Sequence, residues 1–182
     1  MYISLYKLKP KPIRALEAML TVADDETDYV VAGVEKFGDV PTEVILQPTS
    51  GKSREPLESV LCPAPWAQLF RRDIIADSRL TFREDFSYSE DTLFVYTYRH
   101  HIRQLATVED VVYRYRINAD SATFSPNLMK RATHHMIVAN AFQQMIEQNT
   151  APKAVETLTF VRNKILRFVQ NETEQVLQKQ KI

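Results

Sequence analysis

The chain has few of the residues that build the commonest nucleotide, disulfide and membrane motifs. Its three glycines, Gly33, Gly38 and Gly51, cannot form a P-loop or a dinucleotide-binding fingerprint. Its single cysteine, Cys62, excludes an internal disulfide. The N-terminus lacks the apolar core of a signal peptide, and charged residues interrupt every apolar run before it reaches the length of a membrane span. Any nucleotide site must therefore be built differently or lie outside these residues.

The charges of the chain cancel. Lys plus Arg and Asp plus Glu number 23 each, so the formal net charge is zero. A balanced charge removes the broad attraction to phosphates on which nucleic-acid-binding proteins rely, so we expect no nucleic-acid partner. The length of 182 residues and the hydrophobic content of 45% are typical of a globular chain with a substantial core.

The first two-thirds of the chain predict alternating strands and helices. Residues 28–37 are rich in β-branched side chains and predict a strand, with residues 39–46 as its hairpin partner. A helix is predicted over residues 89–101 with Ser89 as its cap, and residues 103–108 and 111–117 predict two short strands. This alternation indicates an α/β or α+β class.

The last third of the chain changes to helical periodicity. Ser125-Pro126 is a favourable helix start, and apolar residues then recur at helical spacing on both sides of Ala151-Pro152. This pattern predicts an antiparallel helical hairpin over residues 125–182, with a polar tail that frays after residue 169.

Two adjacent acids, Glu90 and Asp91, begin the helix that follows an aromatic loop. A carboxylate at the mouth of a cleft could take a proton from a sugar hydroxyl as a general base. The same two acids could simply complement the helix dipole. The local sequence leaves both interpretations open.

Other candidate binding residues lie in the middle of the chain. Arg114 and Arg116 share one face of a predicted strand, where they could grip a phosphate or lie on an exposed edge. Trp66 could stack on a sugar ring or fill the core, and Arg71 could neutralise an anionic ligand or be an ordinary solvated residue.

The histidines form two adjacent pairs, at positions 100–101 and 134–135. Neighbouring helical side chains diverge by about 100°, so neither pair can chelate one metal ion. We therefore expect surface or satisfied core histidines, and no metal site from these residues.

Residues 66–123, taken together, resemble the second half of bacterial family-2 glycosyltransferases of the GT-A fold. In that family a Trp-x-x-Leu-[Phe/Tyr]-Arg-Arg segment precedes a short helix. A Phe, a Glu-Asp pair that opens a helix, a Tyr-x-Tyr-Arg strand and a Ser then follow. The matching residues occur here in the same order and spacing: Trp66, Leu69, Phe70, Arg71, Arg72, Phe82, Glu90, Asp91, Tyr113, Tyr115, Arg116 and Ser121.

The resemblance implies a role for several of these residues. Asp91 would be the catalytic base, with Glu90 beside it, in an inverting transfer from a nucleotide-sugar to a glycan or lipid-linked acceptor. Trp66 would line the acceptor side, and Arg116 with the loop to Ser121 would lie near the leaving diphosphate. The predicted acceptor- or diphosphate-binding residues are Trp66, Arg71, Arg116 and Ser121.

The N-terminus departs from the family pattern. Family enzymes begin with nucleotide-binding strands and a DxD motif that holds Mg²⁺ or Mn²⁺ on the donor diphosphate. Ser4, Leu5 and Tyr6 stand about where those acids are expected, and they cannot bind the metal as carboxylates do. We therefore expect a partial GT-A domain, with residues 1–124 as its acceptor-side half and residues 125–182 as the hairpin. We expect no cofactor in this chain and no turnover by it alone.

Alternatives to a catalytic fragment remain open. A non-catalytic remnant could bind a glycan, or pair with another chain or a second copy through an exposed sheet edge. Basic residues of the hairpin could contact nucleic acid, although nearby acids offset them, or could face anionic lipid headgroups. The resemblance implies a bacterial enzyme of cell-envelope polysaccharide synthesis, located in the cytoplasm or peripherally at the inner face of the membrane.

Overall fold

A computed structural model of the chain describes residues 2–3, 12–57, 63–85, 87–118 and 126–179. Its helices are α1 (Pro12–Leu20), α2 (Arg72–Asp77), α3 (Glu90–His100), α4 (Leu128–Glu147) and α5 (Pro152–Lys179). Its strands are β1 (Tyr2–Ile3), β2 (Tyr29–Gly38), β3 (Glu43–Leu46), β4 (Gly51–Ser53), β5 (Gln68–Arg71) and β6 (Leu105–Ile117).

The chain divides into two compact units. The first comprises Met1–Pro56, Leu61–Thr81 and Val95–Ala119, and the second comprises Leu57–Val60, Phe82–Phe94 and Asp120–Ile182. The described strands all belong to the first unit and the two long helices to the second. Helix α3 contributes its first residues to the second unit and the remainder to the first.

The first unit is built on a mixed sheet in the order β1-β5-β2-β6-β4, with β3 also paired to β2. Strands β2 and β6 are parallel, and the other described pairs are antiparallel. Residues Tyr29 to Val34 of β2 are all buried, as expected of a central strand covered on both faces. The predicted strand at 28–37 and its hairpin partner are confirmed as β2 and β3. Strand β4 is a short edge strand of polar residues that pairs with β6.

Helix α1 covers part of the sheet through a narrow apolar stripe. Met19 is fully buried in a cluster with Val30, Ala32 and Ala106. Leu16 and Leu20 of the same helix are 37% and 49% exposed. Met19 is therefore the residue through which α1 enters this cluster.

The hydroxyl of Tyr98 on α3 fastens the start of β2 to the end of β5. It donates a hydrogen bond to the carbonyl oxygen of Asp28 at 2.7 Å and accepts one from the backbone N–H of Arg71 at 2.8 Å. Its ring packs among those of Tyr29 and Phe70, with centroids 5.5 and 4.9 Å away. A buried tyrosine is stable here because its polar atom is satisfied while its ring is desolvated.

Strand β6 corrects the prediction of two short strands. It runs without a break through Glu109-Asp110, the polar step at which the sequence pattern divides. The pairing with β2 shifts register on both sides of Gly33, so the polar step is a bulge within one strand.

The second unit contains the predicted antiparallel helical hairpin. Arg162 of α5 bonds Gln143 of α4, whereas Glu172, further along α5, contacts Arg131 and His135, nearer the start of α4. This reversed order of contacts shows that the helices run in opposite directions. Their buried residues include Ala132 and Phe142 on α4 and Leu158, Val161 and Ile165 on α5.

Both ends of the hairpin differ from the sequence prediction. Helix α4 begins at Leu128, capped by Asn127, whose side chain accepts a hydrogen bond from the N–H of Lys130. Ser125 lies outside the described residues. The tail does not fray after residue 169, because α5 continues to Lys179 and buries Glu172.

Substitution of Gly33 by Ala tests the bulge. A Cβ atom at Gly33 would lie 2.9 Å from the carbonyl oxygen of Asp110 and 3.0 Å from the Cα of Val111. Because these are backbone atoms in a packed sheet, we expect Gly33→Ala to lower the free energy of unfolding by about 1–3 kcal/mol in urea denaturation. Gly51→Ala is the matched control, since a Cβ there meets nothing within 4 Å. Equal stability of the two variants would contradict the described register.

Candidate active site

The loop before α3 and the first turn of that helix carry the two candidate acids. The rings of Phe82 and Phe94 stack face to face with centroids 4.2 Å apart, which fixes the loop against the helix. Ser89 has a φ of 61°, in the left-handed region that costs a non-glycine residue about 1–2 kcal/mol. Ser89 occupies the predicted cap position, because it directly precedes Glu90 and its carbonyl oxygen accepts a hydrogen bond of 3.1 Å from the backbone N–H of Leu93. Its positive φ is unusual for a cap, which normally has an extended backbone.

Asp91 presents one carboxylate oxygen to the helix and leaves the other available. Its Oδ1 accepts hydrogen bonds from the backbone N–H of Thr92 at 2.6 Å and from the Thr92 hydroxyl at 3.4 Å. Within the described residues, Oδ2 has neither a hydrogen-bond partner nor an ion pair. Glu90, the preceding residue, is also half-buried.

Both acids line a cavity of about 270 Å³. The other lining residues are Ser87, Tyr88, Ser89, Arg131, His135 and Phe168. The cavity is thus formed by the loop before α3, the first turn of α3, and one face of each hairpin helix. A reacting hydroxyl of a ligand in this space would meet a carboxylate directly.

The surroundings of Asp91 make its carboxylate a stronger base than usual. Burial is the largest cause that raises the pKa of Asp91 to about 6, and the negative charge of Glu90 is the second. The hydrogen bonds from Thr92 lower the pKa but are outweighed. Desolvation disfavours the charged form of an acid, and a neighbouring carboxylate does the same. At neutral pH Asp91 is mostly ionised and ready to accept a proton.

The hairpin contributes a buried charge cluster behind the cavity. Glu172 is only 3% exposed; its Oε1 lies 2.9 Å from Nη2 of Arg131 and its Oε2 lies 2.9 Å from Nδ1 of His135. Arg131 also lies over the ring of Tyr88, 5.9 Å from its centroid. These contacts fix the orientation of the two side chains that α4 contributes to the cavity.

His134, the other histidine on this turn, fixes the loop. Its Nδ1 accepts a hydrogen bond of 2.9 Å from the backbone N–H of Ser87, so that ring nitrogen carries no proton. Burial, with the positive charge of Lys130 next, lowers the pKa of His134, which keeps the ring neutral. The interpretation of His134 and His135 as satisfied core histidines is confirmed.

Several residues of the site escaped the sequence prediction: Tyr88, Arg131, His135 and Phe168, which line the cavity, and Glu172, which lies behind it. One signal could have found the last of them. Glu172 follows Ile165 by seven residues and Phe168 by four, so it lies on the apolar stripe of α5. An acid on such a stripe becomes buried and therefore needs a hydrogen-bonding or charged partner. Helix α4 offers two such side chains, Arg131 and His135, which lie four residues apart and so share one helix face.

The remaining predicted binding residues belong to the first unit or lie outside the described residues. Trp66 is half-buried and stacks on Tyr115 and Tyr113, with centroids 4.2 and 5.5 Å away. Arg71 donates to the carbonyl oxygen of Asp25 at 2.8 Å and to the carboxylate of Asp28 at 3.4 Å.

The two strand arginines differ in their contacts. Arg114 pairs with Glu35 and lies over the ring of Phe37, whereas Arg116 is exposed. Ser121 lies outside the described residues. The ligand-binding roles of Trp66, Arg71, Arg116 and Ser121 stay predictions.

The described residues contain neither a metal-ligand cluster nor a membrane-spanning helix. In the described ranges, no three His, Cys, Asp or Glu side chains converge as metal ligands would. Residues 4–6, where the resemblance places the metal-binding acids, lie outside those ranges. No described helix combines the length and apolar character needed to cross a bilayer.

The chain resembles known proteins in its fold but matches none in its sequence. The chain matches no protein-family profile and no curated protein by sequence. Its fold resembles that in the crystal structure of S. aureus TarS 1-349, with a TM-score of 0.52 and 11% identity, over 91% of this chain and 43% of that chain. The chain therefore spans less than half of the TarS chain.

The structural likeness confirms the predicted fold class. TarS is a glycosyltransferase of GT-A-like fold, and the mixed sheet and C-terminal helices described here are consistent with a partial GT-A-like α/β domain. At 11% identity the likeness concerns the fold, and the chemistry must be argued from the site.

Replacement of Glu172 tests the charge cluster. Glu172→Gln leaves Arg131 without its buried counter-charge, so we expect the free energy of unfolding to fall by on the order of 3 kcal/mol. Glu174→Gln, at an exposed position of the same helix, should change it by less than about 0.5 kcal/mol. Similar urea midpoints for both variants would show that the cluster is not formed.

The raised pKa of Asp91 predicts that this residue destabilises the folded chain at neutral pH. The folded state holds a proton that the unfolded state releases between pH about 4 and 6, so stability falls as pH rises through that window. Asp91→Asn removes this effect and should raise the melting temperature at pH 7.5, with the difference shrinking toward pH 4. A variant less stable than the wild type at pH 7.5 would contradict the desolvated carboxylate.

Proposed function

We propose that the chain provides the acceptor side and the catalytic base of an inverting glycosyltransferase. In this proposal a sugar passes from a nucleotide-sugar donor to a hydroxyl of a glycan or lipid-linked acceptor. The observation that carries the proposal is the carboxylate of Asp91, which faces an open cavity with Oδ2 uncommitted and with a raised pKa.

The reaction requires little of the protein beyond placement and proton removal. The acceptor hydroxyl gives its proton to Oδ2 of Asp91 as its oxygen forms a bond to the anomeric carbon of the donor. The bond from that carbon to the diphosphate breaks, and its electron pair leaves with the nucleotide. Because the hydroxyl attacks opposite the leaving group, the configuration inverts. Asp91 then returns the proton to solvent through the cavity mouth.

Asp91 is a better candidate for this step than Glu90. The Oδ1 atom is fixed by Thr92, so the carboxylate plane is held while Oδ2 faces the ligand. Glu90 supplies negative charge that strengthens its neighbour as a base. A fixed orientation of the reacting group contributes to rate by reducing the entropy lost at the transition state.

The fold supports the same assignment at a coarser level. The likeness to a GT-A-like glycosyltransferase covers 91% of this chain and 43% of the TarS chain. We propose that the donor and its metal ion are bound by sequence other than these 182 residues, so that the chain alone does not turn over. We place the complete enzyme in the cytoplasm at the inner face of the membrane, where lipid-linked acceptors are reached.

Asp91→Asn tests the base in the complete gene product that contains this chain. Asparagine keeps the shape and the bond to Thr92 but cannot take the proton. We expect turnover of a nucleotide-sugar with its acceptor to fall by about 10²- to 10⁴-fold, with the acceptor KM changed much less. The rate of the unmodified enzyme should rise with pH through a midpoint near 6, where Asp91 ionises.

The control variant is Glu84→Gln, an exposed position in the loop before α3. It should keep full turnover and the same pH profile. Unchanged turnover in Asp91→Asn would contradict the proposal and favour a non-catalytic, glycan-binding module. Micromolar binding of a nucleotide-sugar by the 182 residues alone would contradict our placement of the donor site.

A further inference from the structure

His135 lines the cavity, and a buried acid holds its ring in place. It is 8% exposed, and its Nδ1 lies 2.9 Å from Oε2 of Glu172, an acid that is itself 3% exposed. A carboxylate on Nδ1 makes that nitrogen the N–H donor, which sets the tautomer and the ring orientation. Glu172 therefore acts as a positioning residue for the imidazole.

The second ring nitrogen of His135 is left for the cavity. When the ring is neutral, commitment of Nδ1 to Glu172 leaves Nε2 as a hydrogen-bond acceptor. Nε2 has no protein partner in the described ranges. It is also not one of the fully buried side-chain atoms that are left without a partner, so it is not sealed off from the cavity. Since His135 lines the same cavity as Asp91, a ligand hydroxyl there would meet two separate acceptors.

The charges of the cavity oppose an anionic ligand. Its lining includes the carboxylates of Glu90 and Asp91 and a single guanidinium, that of Arg131. The charge of Arg131 is already offset by Glu172, 2.9 Å away. A phosphate or carboxylate entering this space would face uncompensated negative charge, whereas an uncharged polyol would not.

The walls of the cavity are suited to a ring. The imidazole of His135 lies near two other rings, with centroids 6.2 Å from Tyr88 and 5.4 Å from Phe168. Phe168 is 41% exposed and leaves part of its ring uncovered. A volume of about 270 Å³ is below the usual range of roughly 300–1,000 Å³ for drug-sized ligands, which favours one small ring.

We propose that the cavity takes an uncharged sugar ring and that His135, oriented by Glu172, accepts a hydrogen bond from one of its hydroxyls. This inference rests on the proposed function, since it treats the cavity as the acceptor site. His135 thereby selects which acceptor hydroxyl reaches Asp91, and the two carboxylates exclude acid sugars. The acceptor class is a neutral hexose or N-acetylhexosamine unit.

Titration of the isotope-labelled chain tests the ligand class. The probes are methyl glycosides of common hexoses and N-acetylhexosamines, each paired with its 6-phosphate or uronic acid. We expect at least one neutral glycoside to bind, with its charged partner at least about tenfold weaker. On binding, the ¹⁵N resonance of Nε2 of His135 should shift, and those of His100 and His101 should not. Binding of no neutral glycoside, tighter binding of the anionic partner, or an unmoved His135 resonance would overturn the inference.

A pair of variants separates recognition from folding. His135→Asn retains an amide donor near the position of Nδ1 and removes Nε2, so we expect glycoside affinity to fall about five- to tenfold, as for one lost hydrogen bond. His101→Asn, at an exposed position of the first unit, should bind as the wild type does. If His135→Asn fails to fold, the wild-type ¹⁵N shift decides the question.

The two hypotheses can fail separately. Unaltered glycoside binding in His135→Asn, with turnover lost in Asp91→Asn, would overturn the recognition role and leave the transferase standing. Weakened binding in His135→Asn, with turnover intact in Asp91→Asn, would support the recognition role and remove the catalytic one.

Discussion

The position of one carboxylate relative to water determines what this site can do. The start of a helix normally favours the charged form of an acid and lowers its pKa. At Asp91 the opposite result holds, because burial and the charge of Glu90 outweigh both the helix terminus and the bonds from Thr92. The positive φ of Ser89 and the stacked rings of Phe82 and Phe94 lie in the segment that carries the two acids. The burial that makes Asp91 a stronger base therefore also lowers the stability of the folded chain at neutral pH.

The hairpin contains the partners that make a buried Glu172 tolerable. Glu172 would be costly to bury alone; Arg131 offsets its charge and His135 bonds its other oxygen, through contacts of 2.9 Å each. The same contacts orient the two side chains of α4 toward the cavity. The helices that cover the site therefore also supply part of its chemistry, and a ligand is bounded by α3 on one side and by α4 and α5 on the others.

Features encoded within one segment of the sequence could be predicted, whereas features that depend on contacts between distant segments could not. The β-branched run of β2, the acidic start of α3 and the periodicity of α4 and α5 are local, and the corresponding elements formed. The continuity of β6 through Glu109-Asp110 was missed, because only pairing with β2 beside Gly33 makes a polar step part of a strand. Glu90 and Asp91 were singled out, but their desolvation could not be predicted. The cavity that the two acids line also includes Arg131, His135 and Phe168, residues 40 or more positions away in sequence that only the folded hairpin brings there.

The most direct test of the account is a carboxyl ¹³C NMR titration of Asp91 in the 182-residue chain, with the resonance assigned by its absence in Asp91→Asn. The account predicts a midpoint near pH 6, about two units above an ordinary aspartate. A midpoint near pH 4 would show a solvated carboxylate that merely complements the helix dipole, and it would contradict the assignment of Asp91 as a catalytic base.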